Sequence, residues 1–326
     1  MLRMLWPLLV PALLASPLAA QEDPVEPAPV LVSMGTAAVT GVYFPVGVSL
    51  CRLVNQHRRE TGLRCAARPT DGSVANIAGL RDGRLELAIV QSDVQAQAVA
   101  GAGAFADRGP FDGLRAVMAL HPEPLTLVAR ADAGIAGVED LAGKRVWLGP
   151  EGSGTRAVAG ELMAALGWSE ASFAAVPPLG ADRLPDALCL GEIDAFLYAI
   201  GHPALAIQEA TTACDARLVP IAGPAIDELV GGRPDLRSAT IPGGLYRGNP
   251  GPVASFGVGA TLVAGADLPD ERVGAMVEQI FADFETLRGL DPVLTALEPE
   301  AMVADGLTAP LHPGAEAYFR ARGWIE

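Results

Sequence analysis

The chain has 326 residues, half of them hydrophobic, which is enough to build a large core divided between two domains or lobes. With 23 basic against 38 acidic residues the formal net charge is −15, so a nucleic-acid surface would repel its own ligand and an anionic membrane surface is disfavoured. The same charge favours solubility.

The first segment, MLRMLWPLLVPALLASPLAA, places one Arg before an apolar run and then small residues, the layout of a secretory signal over 1–20 cut near Ala20. Pro7, Pro11 and Pro17 interrupt it too often for an uncleaved anchor, and no later stretch has an uninterrupted apolar run of about 20 residues. A soluble, exported, periplasmic protein is expected. QEDPVEPAP follows as a flexible Pro- and Glu-rich leader over 21–30.

From there strands and helices alternate. VLVSMG reads as a strand ending in the polar turn GTAAVTG, and YFPVGVSLCRLVNQHRRE as an amphipathic helix. LRCAARPT is a second strand, DGSVAN caps the helix IAGLRDG, and LELAIVQSD is a third strand with a polar end. This alternation predicts parallel α/β sheets, whose ligands sit beyond the carboxyl ends of the strands. HPEPLTLVAR then leads into a second unit: the segment through WLGPEGSGT and RAVAGELMAALGW, a strand near FAAVPPL, the helix RLPDALCLGE, the strand IDAFLYAI and finally ARLVPIAG. Two such units joined by extended crossings imply a hinged two-lobe clamp. Lobe 1 is expected over 31–122, lobe 2 over 123–222, and a return to lobe 1 over 223–326.

WLGPEGSGT raises its own question. A phosphate-binding loop needs Lys before its terminal Ser or Thr, and here Gly154 precedes Thr155; a nucleophile elbow needs Gly at both outer positions around Ser153, and Glu151 and Thr155 stand there. Two readings survive. Gly152, Ser153, Gly154 and Thr155 present the free N–H groups of a helix start to a carboxylate, or the turn is an ordinary helix start with Ser153 or Thr155 as its cap.

Four cysteines remain, none at metal or thioredoxin spacing. In an oxidising compartment Cys51 pairs most economically with Cys65 and Cys189 with Cys214; four buried thiols are the alternative. His57, His121, His202 and His312 are scattered, so neither a metal site nor a cofactor is expected.

The segments GTAAVTGVYFPVG, TDGSVANIAGL, LELAIVQSDV, ALHPEPLTLVARADAGI, DLAGKRVWLGPEGSGT, GEIDAFLYAIGHPA, EATTACDARLVPI, ATIPGGLY and PLHPGAEAYFRARGW occur in this order from Gly35 to the C-terminus. As a set the chain resembles the substrate-binding proteins of TAXI-type tripartite ATP-independent periplasmic (TRAP) transporters. That resemblance implies a two-lobe, type II-like periplasmic-binding-protein fold and no catalysis. It also implies a monomer that carries a small organic acid or amino acid, such as glutamate, glutamine or a 2-oxoglutarate-like ligand, to TRAP membrane subunits with a fused permease. A periplasmic sensing domain feeding a signalling partner is the alternative. The chain departs from the pattern at Phe44, where a second Tyr is common, at Cys189 and at His202.

Ligand-binding candidates follow from the strand ends. Gly35, Thr36, Gly41 and Tyr43 belong to the first turn, where a hydroxyl and a phenol suit a carboxylate; a cap and a core aromatic are the alternatives. Ser73 and Asn76 open the next helix, as donors or as caps. Gln91, Ser92 and Asp93 end the third strand, with Ser92 the best donor and Asp93 an ammonium partner or a cap. Tyr198 ends IDAFLY, and Arg183 is a charge partner or a surface side chain.

Overall fold

The computed structural model describes residues 29–233 and 235–326. The expected signal segment, 1–20, and the leader up to residue 28 lie outside the described residues.

The chain begins with β1 (Val30–Gly35), crosses to α1 (Tyr43–Gln56) and the single turn α2 (Arg58–Thr61), and returns as β2 (Leu63–Arg68). The helix α3 (Ser73–Arg81), the strand β3 (Leu87–Gln91) and the helix α4 (Ser92–Ala100) continue the alternation. β1 pairs in parallel with both β2 and β3. β3, parallel to β1 and antiparallel to β9, is buried along its whole length, as a central strand covered on both faces must be.

The seventeen-residue β4 (Leu114–Arg130) then leaves the first unit and enters the second. Its first half pairs antiparallel with β9, and its last residues pair with β6 and β7. The register against β9 shifts between Ala119 and Pro122, where HPEP brings two residues without an N–H into the ladder. After β4 come β5 (Val146–Trp147), α5 (Gly154–Ala165), α6 (Leu184–Cys189), β6 (Ala195–Ala199), α7 (Leu205–Ala213), β7 (Ala216–Val219) and α8 (Pro224–Gly231). β8 (Arg237–Ile241) and β9 (Val253–Gly265) bring the chain back. It closes with α9 (Asp270–Ala282), α10 (Phe284–Leu290), α11 (Pro299–Met302) and α12 (Pro313–Arg322).

Nine strands form one sheet: seven follow the path β2-β1-β3-β9-β4-β6-β5, with β7 beside β4 and β8 beside β9 off it. The sheet is mixed, not purely parallel: β4 and β9 carry the chain out and back between the units, so they run opposite to each other. FAAVPPL does not form the expected strand. Its prolines remove ladder donors, and only Ala175 bridges to Arg145.

Helices cover both faces of each unit. One cluster packs α1 and α9 residues such as Val46, Leu50, Val273 and Ile280 and extends to Leu188 and Ile207 of α6 and α7; a second gathers Val158 and Leu162 of α5 with Leu127 and Leu197; a third places Ile77 and Val94 under Val90 and Val263. Ile226, Leu236 and Phe256, which follow residue 222, pack in the cluster that holds α5. The cysteines pair as Cys51–Cys65 and Cys189–Cys214, with Cα atoms 4.9 and 5.4 Å apart. No helix among the described residues is long and apolar enough to cross a membrane.

Candidate functional site

A cavity of about 320 Å³ lies between the two units, at the carboxyl ends of their parallel strands. The first unit contributes the start of α1 at Gly41 and Tyr43, the turn from Thr70 to Ser73, Gln91 at the end of β3, and Glu123 from β4. The second contributes Trp147 after β5, the turn from Pro150 to Thr155, Gly180 to Asp182, and Tyr198 to Ile200 at the end of β6.

The turn WLGPEGSGT is a capped helix start that borders the cavity. Ser153 is the N-cap of α5: its Oγ accepts the Arg156 N–H at 3.1 Å and donates to the Pro150 carbonyl at 2.8 Å. That leaves Gly154 and Thr155 as the first two helical residues, whose N–H groups have no intrahelical acceptor, and both line the cavity. Thr155 does not cap; its Oγ1 accepts the Ala199 N–H at 3.3 Å and pins the helix start to β6. Gly152 has φ +79, the turn conformation that suits glycine, and its carbonyl reaches across the cleft to accept the Ala75 N–H at 3.3 Å. The helix start is pressed against the opposite unit, since a Cβ on Gly154 would lie 2.0 Å from Gln91 Oε1 and 2.9 Å from Ser73 Oγ. The two lobes are therefore in contact across the cleft.

At the centre of the first unit's wall is Glu123, 2% exposed. Its Oε2 accepts the Tyr43 hydroxyl at 2.7 Å and the Gln91 amide at 3.1 Å. Burial pushes its carboxyl up to about 8, with the Asp93 charge adding to the rise and the two donors opposing it. Burial likewise raises the phenols of Tyr43 and Tyr198, so both remain protonated donors. Tyr198 meets Trp147 edge-on at 5.6 Å, and the Trp147 indole donates to the Leu179 carbonyl. Asp71 and Asp182 are exposed at the rim, and among the described residues no Lys, Arg or His lines the cavity.

Of the residues singled out from the sequence, Gly41, Tyr43, Ser73, Gln91, Ser153, Gly154, Thr155 and Tyr198 line this space. Ser73 is not a cap; its Oγ accepts the Gln91 N–H at 3.1 Å and ties α3 to the end of β3. The others stand behind the wall or away from it. Thr36 donates to the Arg68 carbonyl, and Asn76 donates to the carbonyls of Thr36 and Ile89, stitching the strand ends together. Gly35 makes room for that Asn76 side chain, 2.5 Å from where a Cβ would sit. Ser92, expected as the best donor, instead bridges the Asp235 carbonyl and the Gly259 N–H. Arg183 is exposed, its one ionic partner Glu192 at 3.8 Å, so the surface reading describes it.

Asp93 is fully buried beside the Ser92 bridge and does not reach the cavity. Neither of its carboxylate oxygens has a hydrogen-bond partner. Burial first, and then the neighbouring Asp235 and Glu161, push it up to about 7. Sequence reasoning missed Glu123, Trp147 and the Thr70–Asp71 turn. The signal for Glu123 was the lone charge in an apolar run, held between two prolines.

The model of the NMT1-like family matches residues 34–323. The chain belongs to the NMT1-like family. Among solved structures, MatC from Rhodopseudomonas palustris with bound malate is 18% identical, with 91% of this chain and 100% of that one aligned and a TM-score of 0.56. PhnD1 from Prochlorococcus marinus in complex with methylphosphonate is 12% identical over 90% and 99% of the two chains, with a TM-score of 0.54. At these identities the likeness establishes the fold of this NMT1-like protein, that of the two-lobe periplasmic binding proteins.

Proposed function

We propose that this NMT1-like chain is an exported, periplasmic, non-enzymatic substrate-binding protein of a TAXI-type TRAP transporter. It closes its lobes over a small carboxylate or amino acid and delivers it to the membrane permease. The observation that supports this best is the cavity itself: it is shared by both lobes, and the free N–H groups of Gly154 and Thr155 stand on one side with Glu123, Gln91 and Tyr43 on the other. A helix start of this kind, with its positive dipole end, suits a carboxylate, and a ligand that bridges both walls favours the closed arrangement by its differential affinity. Catalysis would ask for an activated nucleophile, and the cavity hydroxyls are engaged otherwise: Thr155 accepts from a backbone N–H, Ser153 is a helix cap, and the Tyr43 phenol, which donates to Glu123, is held protonated by burial.

A thermal-shift screen of small acids and amino acids, followed by calorimetry, tests the reading. At least one such compound should raise Tm and bind with one-to-one stoichiometry; a screen without a single hit would remove the support. TRAP membrane subunits encoded beside the gene distinguish this transporter class from others that use the same fold.

A further inference from the structure

The ligand's carboxylate has an evident seat, but the cavity's own charge is of the wrong sign for a simple anion. Among the described residues three carboxyl groups, Asp71, Glu123 and Asp182, line it, and no basic side chain offsets them. Glu123 is buried at 2% exposure, and its Oε2 is already filled by two donors, the Tyr43 hydroxyl and the Gln91 amide. Both partners donate, so the carboxyl is wired as an acceptor, and Oε1 has no partner among the described residues. Gln91 is also 2% exposed and its Oε1 is an unpartnered buried acceptor. Two acceptors on adjoining side chains, with nothing to satisfy them, call for a ligand that brings several N–H donors. An ammonium brings three.

The spacing also has chemical content. One Gln91 side chain joins the two subsites: its Nε2 holds Glu123, while its Oε1 stands against Gly154 at the start of α5. A group bound at Glu123 and a group bound at the helix start therefore adjoin the same side chain. An α-amino acid suits that arrangement, because its ammonium and carboxylate share a carbon. The remaining wall, Val42, Trp147, Ala199 and Ile200 among it, is apolar, and the rim acids disfavour a second negative charge.

We propose that Glu123 is the acceptor for a ligand ammonium, so that the cavity selects a zwitterionic amino acid with an uncharged side chain over acids of the same size that lack the amine. This rests on the reading of the chain as a receptor for small carboxylates or amino acids. It also moves the ammonium-partner role from Asp93, which lies behind the cavity wall, to Glu123. Among the groups around Glu123 no cation competes for it: Tyr43 and Tyr198 stay protonated, burial lowers His121 and His202 to about 4 and keeps them neutral, Asp93 lies behind the wall, and Asp71 and Asp182 are exposed at the rim while Glu123 is buried. A ligand ammonium arriving at Glu123 favours its ionised form, so at pH 7 binding releases a proton to the buffer.

The test is calorimetry at pH 7 on the intact mature protein, with each uncharged L-amino acid set against its des-amino acid. It is run in phosphate and in Tris to read the proton exchanged, and repeated on Glu123→Gln. At least one amino acid should bind about tenfold to a hundredfold more tightly than its des-amino partner, the range expected of a charge-assisted hydrogen bond. Proton release should accompany that binding, and Glu123→Gln should shrink the ratio to a few-fold. Should Glu123→Gln fold poorly, the proton count on the wild type decides alone. Equal affinity for both members of every pair, proton uptake instead of release, or an unchanged ratio in folded Glu123→Gln overturns the inference and leaves the receptor reading standing. If neither member of any pair, nor any other small acid, binds at millimolar concentration, the receptor reading fails and the inference falls with it.

Discussion

Gly154 has no side chain at a place where the lobes are in contact, 2.0 Å from Gln91 Oε1 measured from the position of an added Cβ. Gln91 cannot swing aside without losing Glu123, so Gly154→Ala should obstruct closure while leaving an isolated second lobe undisturbed. Overpacking of this kind typically costs 1–3 kcal/mol, which predicts a loss of ligand affinity of about tenfold to a hundredfold. The ligand-free protein should lose no stability, because alanine suits a helix better than glycine. Calorimetry beside urea unfolding separates the two effects. Ser153→Ala predicts the opposite pattern: it removes a cap worth about 1 kcal/mol but not the N–H groups of Gly154 and Thr155. Unfolding in urea should shift while ligand affinity changes by less than about threefold. A large affinity loss in Ser153→Ala would mean that its hydroxyl itself meets the ligand.

At the scale of elements, the two disulfides staple helices to their neighbours. Cys51–Cys65 joins α1 to β2, an edge strand whose one partner is β1, and Cys189–Cys214 joins the end of α6 to the residue capping α7. Closing loops of 14 and 25 residues restricts the unfolded chain most of all. Alkylation of unreduced, unfolded protein should therefore label no thiol. Replacing Cys189 and Cys214 together by Ala should lower the unfolding free energy by about 2–4 kcal/mol, read from the urea midpoint. β4 is the element that makes the site possible. It carries Glu123 between Pro122 and Pro124 at the crossing point, so the acid belongs to the strand that both lobes share.

For the whole molecule, buried acids set the pH response. Asp93 and Glu123 have folded-state values raised to about 7 and about 8, above the ordinary carboxyl range that they regain on unfolding. The folded protein thus holds protons that the unfolded chain has released. Their contribution to stability is full below about pH 4 and is lost as pH rises through 7 to 8. His121 and His202, lowered to about 4, act with the opposite sign: they favour the folded state above the ordinary histidine value and lose that contribution as pH falls toward 4. From pH 6.5 to 8.5 the loss from the acids outweighs the smaller, opposite change from the histidines, and stability should fall by on the order of 2 kcal/mol. Asp93→Asn keeps the shape and removes the charge, so it should be more stable than wild type at pH 8.5 and show a shallower decline. Urea midpoints across this range measure both, and an identical pH profile in Asp93→Asn would show that the carboxyl ionises without strain.

Much of this was legible in the chain because it is local. Alternation of period-2 strands with amphipathic helices, Gly and Ser at helix starts, and cysteine spacing each act within a few dozen residues; they mark α1, α5 and β6, the cap Ser153 and both disulfides. Tertiary structure decided which polar strand ends face the ligand and which hold the frame. Thr36, Asn76 and Ser92 have the same chemistry as Ser73 and Thr155, but their donors are consumed by carbonyls from strands and loops 32, 40 and 143 residues away, which no local pattern reveals. Glu123 is the reverse case. In sequence it is a single acid in a Pro-punctuated apolar run, and its meaning arises only when Tyr43, 80 residues earlier, and Gln91, 32 residues earlier, converge on one of its oxygens in a space without a base. Local propensity selects the elements; desolvation and long-range pairing, which depend on the closed fold, select the residues of the site.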